Sequence, residues 1–485
     1  MVVAVSPLLC SALALRGRVL APNSEGGGWW DARTAAMPVV LPPSAQHRQW
    51  RMFYYGRAAD KWNGDLPAFL PTGVSGAAES DDGLQWTRIR GPLADGAILT
   101  PADAESAFDH VHVGITDVFE DESDGSYSAL YLGGSSKEVE LGMGPGPIKG
   151  FAMRPGAATS TDGLQWERRG PLLELGAEGE WDSNFVSWPR ALLVEATQPG
   201  GRGLMTYHAL QPASGDGEGP SWAVGAATCA SGLGGPWTKL GKVLEGGAAG
   251  AWDERGIGTR HVVHAPEDEA CAAWGVGDLV MCYEGVGADG RHKLGLATSA
   301  DGGASWTKVD GLGGEPGGPI FEGASPEGEG AWDDGNVGTP WLLRLPAGGW
   351  RLYYVGTADK GRAVVIACTC TWCCPRRCAC MHVHACNART CMQCSYMHAC
   401  TCMQCSYMHA CTCMQCSYMH AMLVHACNAQ KCGYQWLQAG GSTMHMHMRM
   451  CIRAGTSDKG RTVAIGAAES EKLFSSQWTR VDATC

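Results

Sequence analysis

Two sets of residues in this chain have types and spacings that chemistry can use. The first is a run of thiols and imidazoles. Cys391 and Cys394, Cys402 and Cys405, and Cys413 and Cys416 form three C-x-x-C pairs, with His398, His409 and His420 following at a constant interval. Paired thiolates with nearby imidazoles are a ligand set for zinc and other soft metals. The second set is a row of carboxylates. Asp31, Asp109, Asp182, Asp253 and Asp333 each follow an aromatic residue, at intervals of 78, 73, 71 and 80 residues. Carboxylates that converge on one cleft can take and give protons in a reaction.

The thiol set has a plainer origin than a metal site. CMQCSYMHACT begins at Cys391 and again at Cys402, and a third copy from Cys413 breaks off after Ala421. MHVHACNARTC from Met381 recurs as MLVHACNAQKC from Met422. Between Cys368 and Cys451 there is no Asp or Glu, where the rest of the chain would supply about ten. A tandem TGCA tetranucleotide, read in any frame, encodes only Cys, Met, His and Ala, and these dominate the stretch. Zinc knuckles also need shape-giving residues between their ligands, which copies of one 11-residue unit do not provide. The stretch is therefore read as translated simple-repeat DNA, a retained intron or gene-model error, and as disordered. No metal and no cofactor is expected. GTADKGR from Gly356 is echoed by GTSDKGR from Gly455, so excising the 99 residues Thr357 to Gly455 restores one continuous segment and leaves 386 residues.

What positions the carboxylates is a fivefold repeat. Each aromatic-Asp pair opens a run such as WDERGIGTRHVVH from Trp252, and an aromatic strand follows: WRMFYY from Trp50, YSALYL from Tyr127, LMTYH from Leu204, LVMCYE from Leu279 and WRLYYV from Trp350. A third element, G-x-A-[ET]-[SC], starts at Gly76, Gly156, Gly225, Gly295 and Gly466. A turn such as DDGLQW, TDGLQW or ADGGASW, whose Asp-Gly favours a tight hairpin, then leads to the tryptophan of each unit, Trp86, Trp166, Trp237, Trp306 or Trp478. Four short strands per unit of 70 to 80 residues is the pattern of propeller blades, whose faces are covered only by packing around an axis. Five residues after each Asp stand Ala36, Gly114, Ser187, Gly258 and Gly338, all small, as innermost strands converging on an axis require. The repeated aspartates themselves read as structural, satisfying backbone donors at a turn. RGRVLAPNSEGGGWWD from Arg16 parallels RGPLLELGAEGEWD from Arg169, so the chain enters as the tail of a fourth strand and can close the ring.

The expected fold is all-β, a single five-bladed β-propeller with a low-complexity Cys/Met/His insertion in its last blade. Residues 15–356 form blades one to four and the start of five, 357–455 the insertion, and 456–485 the remainder of blade five. Residues 1–14 are apolar without a basic start, and are read as a short targeting segment, organellar or secretory, or as disordered. The chain of 485 residues carries 68 Gly, 25 Pro and 19 Trp, a turn-rich and aromatic composition. A formal charge of -12 argues against nucleic acid and anionic membrane as partners. Only Cys10, Cys229, Cys271, Cys282 and Cys485 lie outside the insertion, so no disulfide framework is expected.

The sequence GLATSADGGASW from Gly295 to Trp306, followed by WDDGNVGTP from Trp332 to Pro340, resembles the five-bladed propellers of the arabinanase, invertase and levansucrase superfamily. Ser299 to Trp306 also matches the Asp-box turn of sialidases, a structural hairpin. The superfamily resemblance extends over all five units and implies glycosyl hydrolysis or transfer by carboxylates at a central funnel. The general base of such enzymes sits in an Asp-Pro pair on an inner strand. The aligned pairs here are Met37-Pro38, Ile115-Thr116, Trp188-Pro189, Thr259-Arg260 and Thr339-Pro340, and none holds an aspartate. Asp117, two residues beyond that position and on the same strand face by period-2 alternation, is the replacement acid, and Glu284 in MCYEG its partner. Trp188, Arg190, Arg260, His261, His112 and Asn336 are the candidate sugar contacts. The implied partner is a carbohydrate substrate or ligand, taken up by a monomer. The alternatives are a carbohydrate-binding propeller without catalysis and, behind it, a protein-interaction scaffold.

Overall fold

A computed structural model of the chain describes residues 17–23, 29–58, 73–139, 147–194, 202–211, 221–264, 279–311, 315–323, 332–345, 350–357, 463–470 and 479–480. The chain divides into two compact units, Met1–Lys360 with Thr456–Cys485, and Gly361–Gly455. The second unit, with its Cys/His repeats, lies outside the described residues, as do residues 1–14 and Trp478.

The first unit is all-β. Apart from a one-turn 3-10 segment at Ala94–Gly96, its regular elements among the described residues are strands. A short strand β1 (Arg18–Leu20) precedes five antiparallel meanders. They are β2 (Thr34–Leu41), β3 (Trp50–Arg57), β4 (Val74–Ser80) and β5 (Thr87–Ile89); then β6 (His112–Glu120), β7 (Tyr127–Gly134), β8 (Met153–Ser160) and β9 (Glu167–Pro171). The third comprises β10 (Ser187–Val194), β11 (Arg202–Gln211), β12 (Ser221–Cys229) and β13 (Thr238–Glu245). The fourth comprises β14 (Gly256–His264), β15 (Leu279–Val286), β16 (His292–Ser299), β17 (Thr307–Lys308) and β18 (Phe321–Glu322). The last has β19 (Asn336–Arg344), β20 (Trp350–Thr357), β21 (Val463–Ser470) and β22 (Thr479–Arg480). The second meander is a sheet by itself, whereas the other four join in pairs through one parallel contact each, Trp222 with Gly256 and Thr34 with Val463.

The second strand of each unit is the aromatic one, and β3 and β20 are buried along nearly their whole length because both faces of each sheet are covered. The register of β20 with β21 runs unbroken from Trp350↔Ser470 to Thr357↔Val463, so β21 completes the fifth meander directly. Strand β1 pairs with the same β21, at Arg18↔Gly466 and Leu20↔Ile465. The first strands of the meanders touch in a cycle: β2 with β6, β6 with β10, β10 with β14, β14 with β19, and β19 with β2.

The repeated aspartates do more than the expected backbone capping: Asp253 accepts from Gly247 N at 3.0 Å as a cap would, but all five are held by side chains. Asp31 accepts from Tyr54 Oη at 3.0 Å and Arg88 Nε at 2.7 Å, and Asp109 from Tyr131 Oη at 3.1 Å and Arg168 Nε at 2.7 Å. Lys239 at 2.7 Å and Lys308 at 2.6 Å serve Asp182 and Asp253, and Tyr354 at 2.9 Å serves Asp333. Each carboxylate thus ties its unit's start to the second strand, the fourth, or both. A buried carboxylate needs such a cation or hydroxyl to offset its desolvation, which a turn cap exposed to water does not. The preceding aromatic ring lies against the same tyrosine, as in Trp252 on Tyr283 at 5.6 Å. A side chain at Gly285 would strike that ring, since its Cβ would stand 2.5 Å from Trp252.

Candidate functional site

All five first strands break register at one place, between Ala36 and Val39, Ile115 and Asp117, Ser187 and Arg190, Ile257 and Arg260, and Gly338 and Trp341. Each carries a β-bulge. In three of them the bulged residue is left-handed: Met37 at φ 55°, Trp188 at φ 48° and Thr339 at φ 43°. All three precede a proline, and side-chain-bearing residues occupy that region only where the surroundings enforce it. The bulge also corrects the alternation argument for Asp117. Ile115 pairs with Tyr131 and Asp117 with Leu130, so Thr116 is an extra residue and strict period-2 facing does not hold across it.

Just past the bulges, eight residues after each repeated Asp, lie Val39, Asp117, Arg190, His261 and Trp341, all buried. Four of them interlock. Asp117 Oδ1 accepts from Val118 N at 3.0 Å and Oδ2 from Ala191 N at 2.9 Å. Burial pushes its carboxyl up to about 7, against the pull of the Arg190 charge and the two amides. The Arg190 guanidinium lies 4.6 Å from the Trp341 ring centre, and among the described residues none of its three nitrogens has a hydrogen-bond partner. Burial lowers it to about 10, and Asp117 opposes that. His261 stacks on the Trp341 ring, with centroids 3.9 Å apart and planes at 17°, and its Nδ1 accepts from Leu342 N at 3.0 Å. Burial and then the Arg190 charge hold this imidazole well below its usual range, hence neutral. Trp341 Nε1 donates to Val40 O at 3.0 Å. These side chains form a packed layer.

Arg260 and Trp188 belong to a second packed group. The Arg260 guanidinium donates to Thr206 Oγ1 at 3.1 Å, to Thr206 O at 2.5 Å, to His208 Nδ1 at 3.2 Å and to Trp188 O. Trp188 stacks on His208 at 4.9 Å, and its Nε1 has no partner among the described residues. His112 stands apart: its Nε2 donates to Gly150 O at 2.8 Å, and burial lowers it to about 4.

Glu284 has different surroundings. It occupies the second-strand position between Tyr283 and Gly285 that the other units fill with Tyr55, Leu132, His208 and Val355. Its Oε2 accepts from Thr339 N at 3.0 Å and from the Thr259 hydroxyl, and Thr339 N also donates to Thr259 Oγ1 at 2.9 Å. The left-handed turn at Thr339 aims that amide. Oε1 meets His292 Nδ1 at 2.5 Å. Burial raises the carboxyl, but the His292 hydrogen bond and charge, Thr259 and Thr339 N outweigh it, so Glu284 lies below the usual glutamate range. The small inner residues make the room: a methyl group at Gly338 would stand 2.6 Å from Glu284 Cδ, and one at Gly258 3.6 Å away. Asn336 Oδ1 accepts from His292 N at 2.9 Å, which joins two of the sequence candidates through a residue not among them.

The sequence candidates therefore fall into groups. Asp117, Arg190 and His261 share the packed layer, Trp188 and Arg260 share the His208 cluster, and Glu284 and Asn336 share His292. No described contact joins Asp117 to Glu284. Sequence reasoning missed His292, Thr259, Thr339, His208 and Trp341. Aligning the second-strand column through Glu284 would have exposed His208, and the eight-residue offset that picked Asp117, Arg190 and His261 also lands on Trp341. A cavity of about 700 Å³, lined by Phe108, Ser135, Lys137, Arg154 and neighbours, contains none of these residues.

No protein-family profile matches the chain, and none of the curated proteins matches it in sequence. Among solved structures it is similar to a glycosyl hydrolase from Bacteroides ovatus at 15% identity and TM-score 0.45, over 70% of this chain and 89% of that one. It is also similar to a protein reported under the GH130 family of mannoside phosphorylases, which contains glycoside hydrolases that target β-1,2 mannosidic linkages in Candida mannan, at 16% identity and TM-score 0.45 over 70% and 88% of the two chains. A family 117 glycoside hydrolase from the marine bacterium Zobellia galactanivorans shares 12% identity at TM-score 0.40, over 70% and 80%.

Proposed function

We propose that the five meanders are the blades of a five-bladed propeller and that the protein is glycoside-hydrolase-like, working on a glycosyl group at the funnel above the packed layer. The cyclic contact of the five first strands and the pairing of β1 with β21 support the ring. The continuous register of β20 with β21 supports reading 15–356 and 456–485 as the propeller and 357–455 as an aberrant insertion. One observation carries the function: Glu284, an ionised carboxylate, is set against the glycines of the inner strands at a position the other units fill without a carboxylate. Such a group can accept a sugar hydroxyl or support charge at an anomeric carbon. The expected partner is a carbohydrate, bound by a monomer whose net negative charge suits neither nucleic acid nor an anionic membrane.

Turnover of aryl glycosides and natural oligosaccharides by the full chain tests this, with sugar binding followed in parallel by calorimetry. Glu284→Gln should abolish turnover. Loss of nothing on that substitution would remove Glu284 from the site. A second reading, a carbohydrate-binding propeller without catalysis, is favoured by one feature: both Asp117 oxygens are taken by backbone amides, which withdraws that carboxyl from any substrate. Saturable binding with no turnover would select it.

A further inference from the structure

We infer that His292 is the proton donor of this site, with Glu284 as the carboxylate that orients it and stabilises its charge. This rests on the glycosyl reading above and deepens it. The fivefold repeat supplies an internal control. The second-strand position of Glu284 and the third-strand position of His292 are diagonal neighbours in the β15–β16 pairing, since Glu284 faces Leu294 and His292 lies two residues before it. The same two positions hold Tyr55 and Gly73, Leu132 and Met153, His208 and Trp222, and Val355 and Val463 in the other units. The fold is built four times without a carboxylate–imidazole pair there, so packing does not demand one.

The geometry assigns the ring nitrogens. An ionised carboxylate only accepts, so the 2.5 Å contact between Nδ1 and Glu284 Oε1 places a hydrogen on Nδ1. Nε2 is then the working nitrogen, and no described hydrogen bond occupies it. The imidazole is the more open partner, with 28% of its side chain exposed against 11% for Glu284, so it stands on the solvent side of the carboxylate. Thr259 and Thr339 N hold the far carboxylate oxygen, and Asn336 holds the His292 backbone. Carboxylate, imidazole and reacting atom thus lie in the order in which a buried acid fixes a histidine for proton transfer. Protonated His292 gives its Nε2 proton to the glycosidic oxygen as the C1–O bond breaks, and the bonding pair stays on that oxygen. Water bonds to C1 through its oxygen, and one of its protons returns to Nε2. The products are two hydroxyls, and His292 is regenerated.

Leaving-group dependence tests the assignment. His292→Gln keeps a donor for Glu284 but carries no transferable proton. In the full chain, turnover of phenyl glycosides, whose leaving group needs a proton, should fall by about 10²–10⁴-fold, whereas dinitrophenyl glycosides should change only a few-fold. The ratio of the two substrates is read within each variant, so a reduced folded fraction cancels. Imidazole added to His292→Ala should restore part of the phenyl activity. Equal loss on both leaving groups, or no loss, overturns the proposal and leaves the glycosyl reading standing. Wild-type protein that binds sugars without turnover also overturns it, in favour of the binding reading. Wild-type protein that neither turns over nor binds any sugar overturns both.

Discussion

Gly338 is where the packing makes its sharpest quantitative demand. An alanine there would bring its methyl carbon to 2.6 Å from Glu284 Cδ and to 2.7 and 2.8 Å from the two oxygens. Ordinary contact begins near 3.4 Å, so the carboxylate must retreat by about 0.8 Å. It cannot do so freely, because Thr339 N at 3.0 Å and His292 Nδ1 at 2.5 Å hold it from two directions. Losing one hydrogen bond to a buried charged group costs about 1.5–3 kcal/mol, while removing a strand glycine returns about 0.5–1 kcal/mol. Gly338→Ala should therefore destabilise by about 1–2 kcal/mol, read as a lower urea midpoint at unchanged slope. Gly258→Ala is the matched control, since its methyl would stand in ordinary contact at 3.6 Å and the substitution should be neutral or slightly stabilising. In a Glu284→Ala background the obstacle is gone, and Gly338→Ala should cease to destabilise. The reasoning is refuted if the two glycine substitutions cost the same, or if Gly338→Ala and Glu284→Ala add.

Glu284 lies below the usual range in the folded state, so its contribution to stability is complete above about pH 4.3 and is lost as pH falls through its native value. Urea midpoints between pH 3 and 7 should show that acid limb flattened in Glu284→Gln. Asp117 has the opposite sign. Its rise from 3.8 to about 7 means that stability is lost as pH climbs through that interval, by on the order of 4 kcal/mol in total. Asp117→Asn should remove this slope while costing about 1–3 kcal/mol at pH 4, because one backbone amide then faces an amide donor; an unchanged slope would show that Asp117 stays ionised. Trp341→Ala removes the ring shared by Arg190 and His261 and the bond to Val40 O, and should cost about 3–5 kcal/mol by thermal or urea unfolding.

Much of the framework was legible because it repeats. WRMFYY, YSALYL and WRLYYV announced second strands that the structure places at Trp50–Arg57, Tyr127–Gly134 and Trp350–Thr357. The echo of GTADKGR in GTSDKGR spans the stretch between β20 and β21, strands that pair with each other. The partners of the repeated aspartates were less legible. Asp109 is 59 residues from Arg168, and nothing local to either announces their 2.7 Å contact. The bulges were hidden for another reason. A left-handed Trp188 or Thr339 before proline contradicts local preference, and only the packing of neighbouring strands imposes it. Period-2 reasoning fails at such a place, which is why Asp117 reads from sequence as an accessible acid and is found braced between two backbone amides.

The same repetition separates structural from chemical roles. Where all five units keep a residue type, as with the aspartates that bind tyrosine or a basic side chain, the fold itself accounts for it. Where the units diverge at equivalent depth, two outcomes appear. At the layer of Val39, Asp117, Arg190, His261 and Trp341 the diverse side chains are buried and pack against one another by stacking, charge and backbone bonds. The Arg190 guanidinium is held there by the Trp341 ring and the Asp117 charge and not by hydrogen bonds among the described residues. Diversity there is five solutions to one packing problem. At the level of Glu284 the divergence leaves an exposed remainder: a carboxylate held by two donors passes its third contact to an imidazole that reaches solvent. A group whose partners all lie on its buried side, and whose open side is polar, has its unsatisfied bonding capacity directed outward. That asymmetry, rather than the presence of acids as such, distinguishes Glu284 and His292 from Asp117 and Arg190.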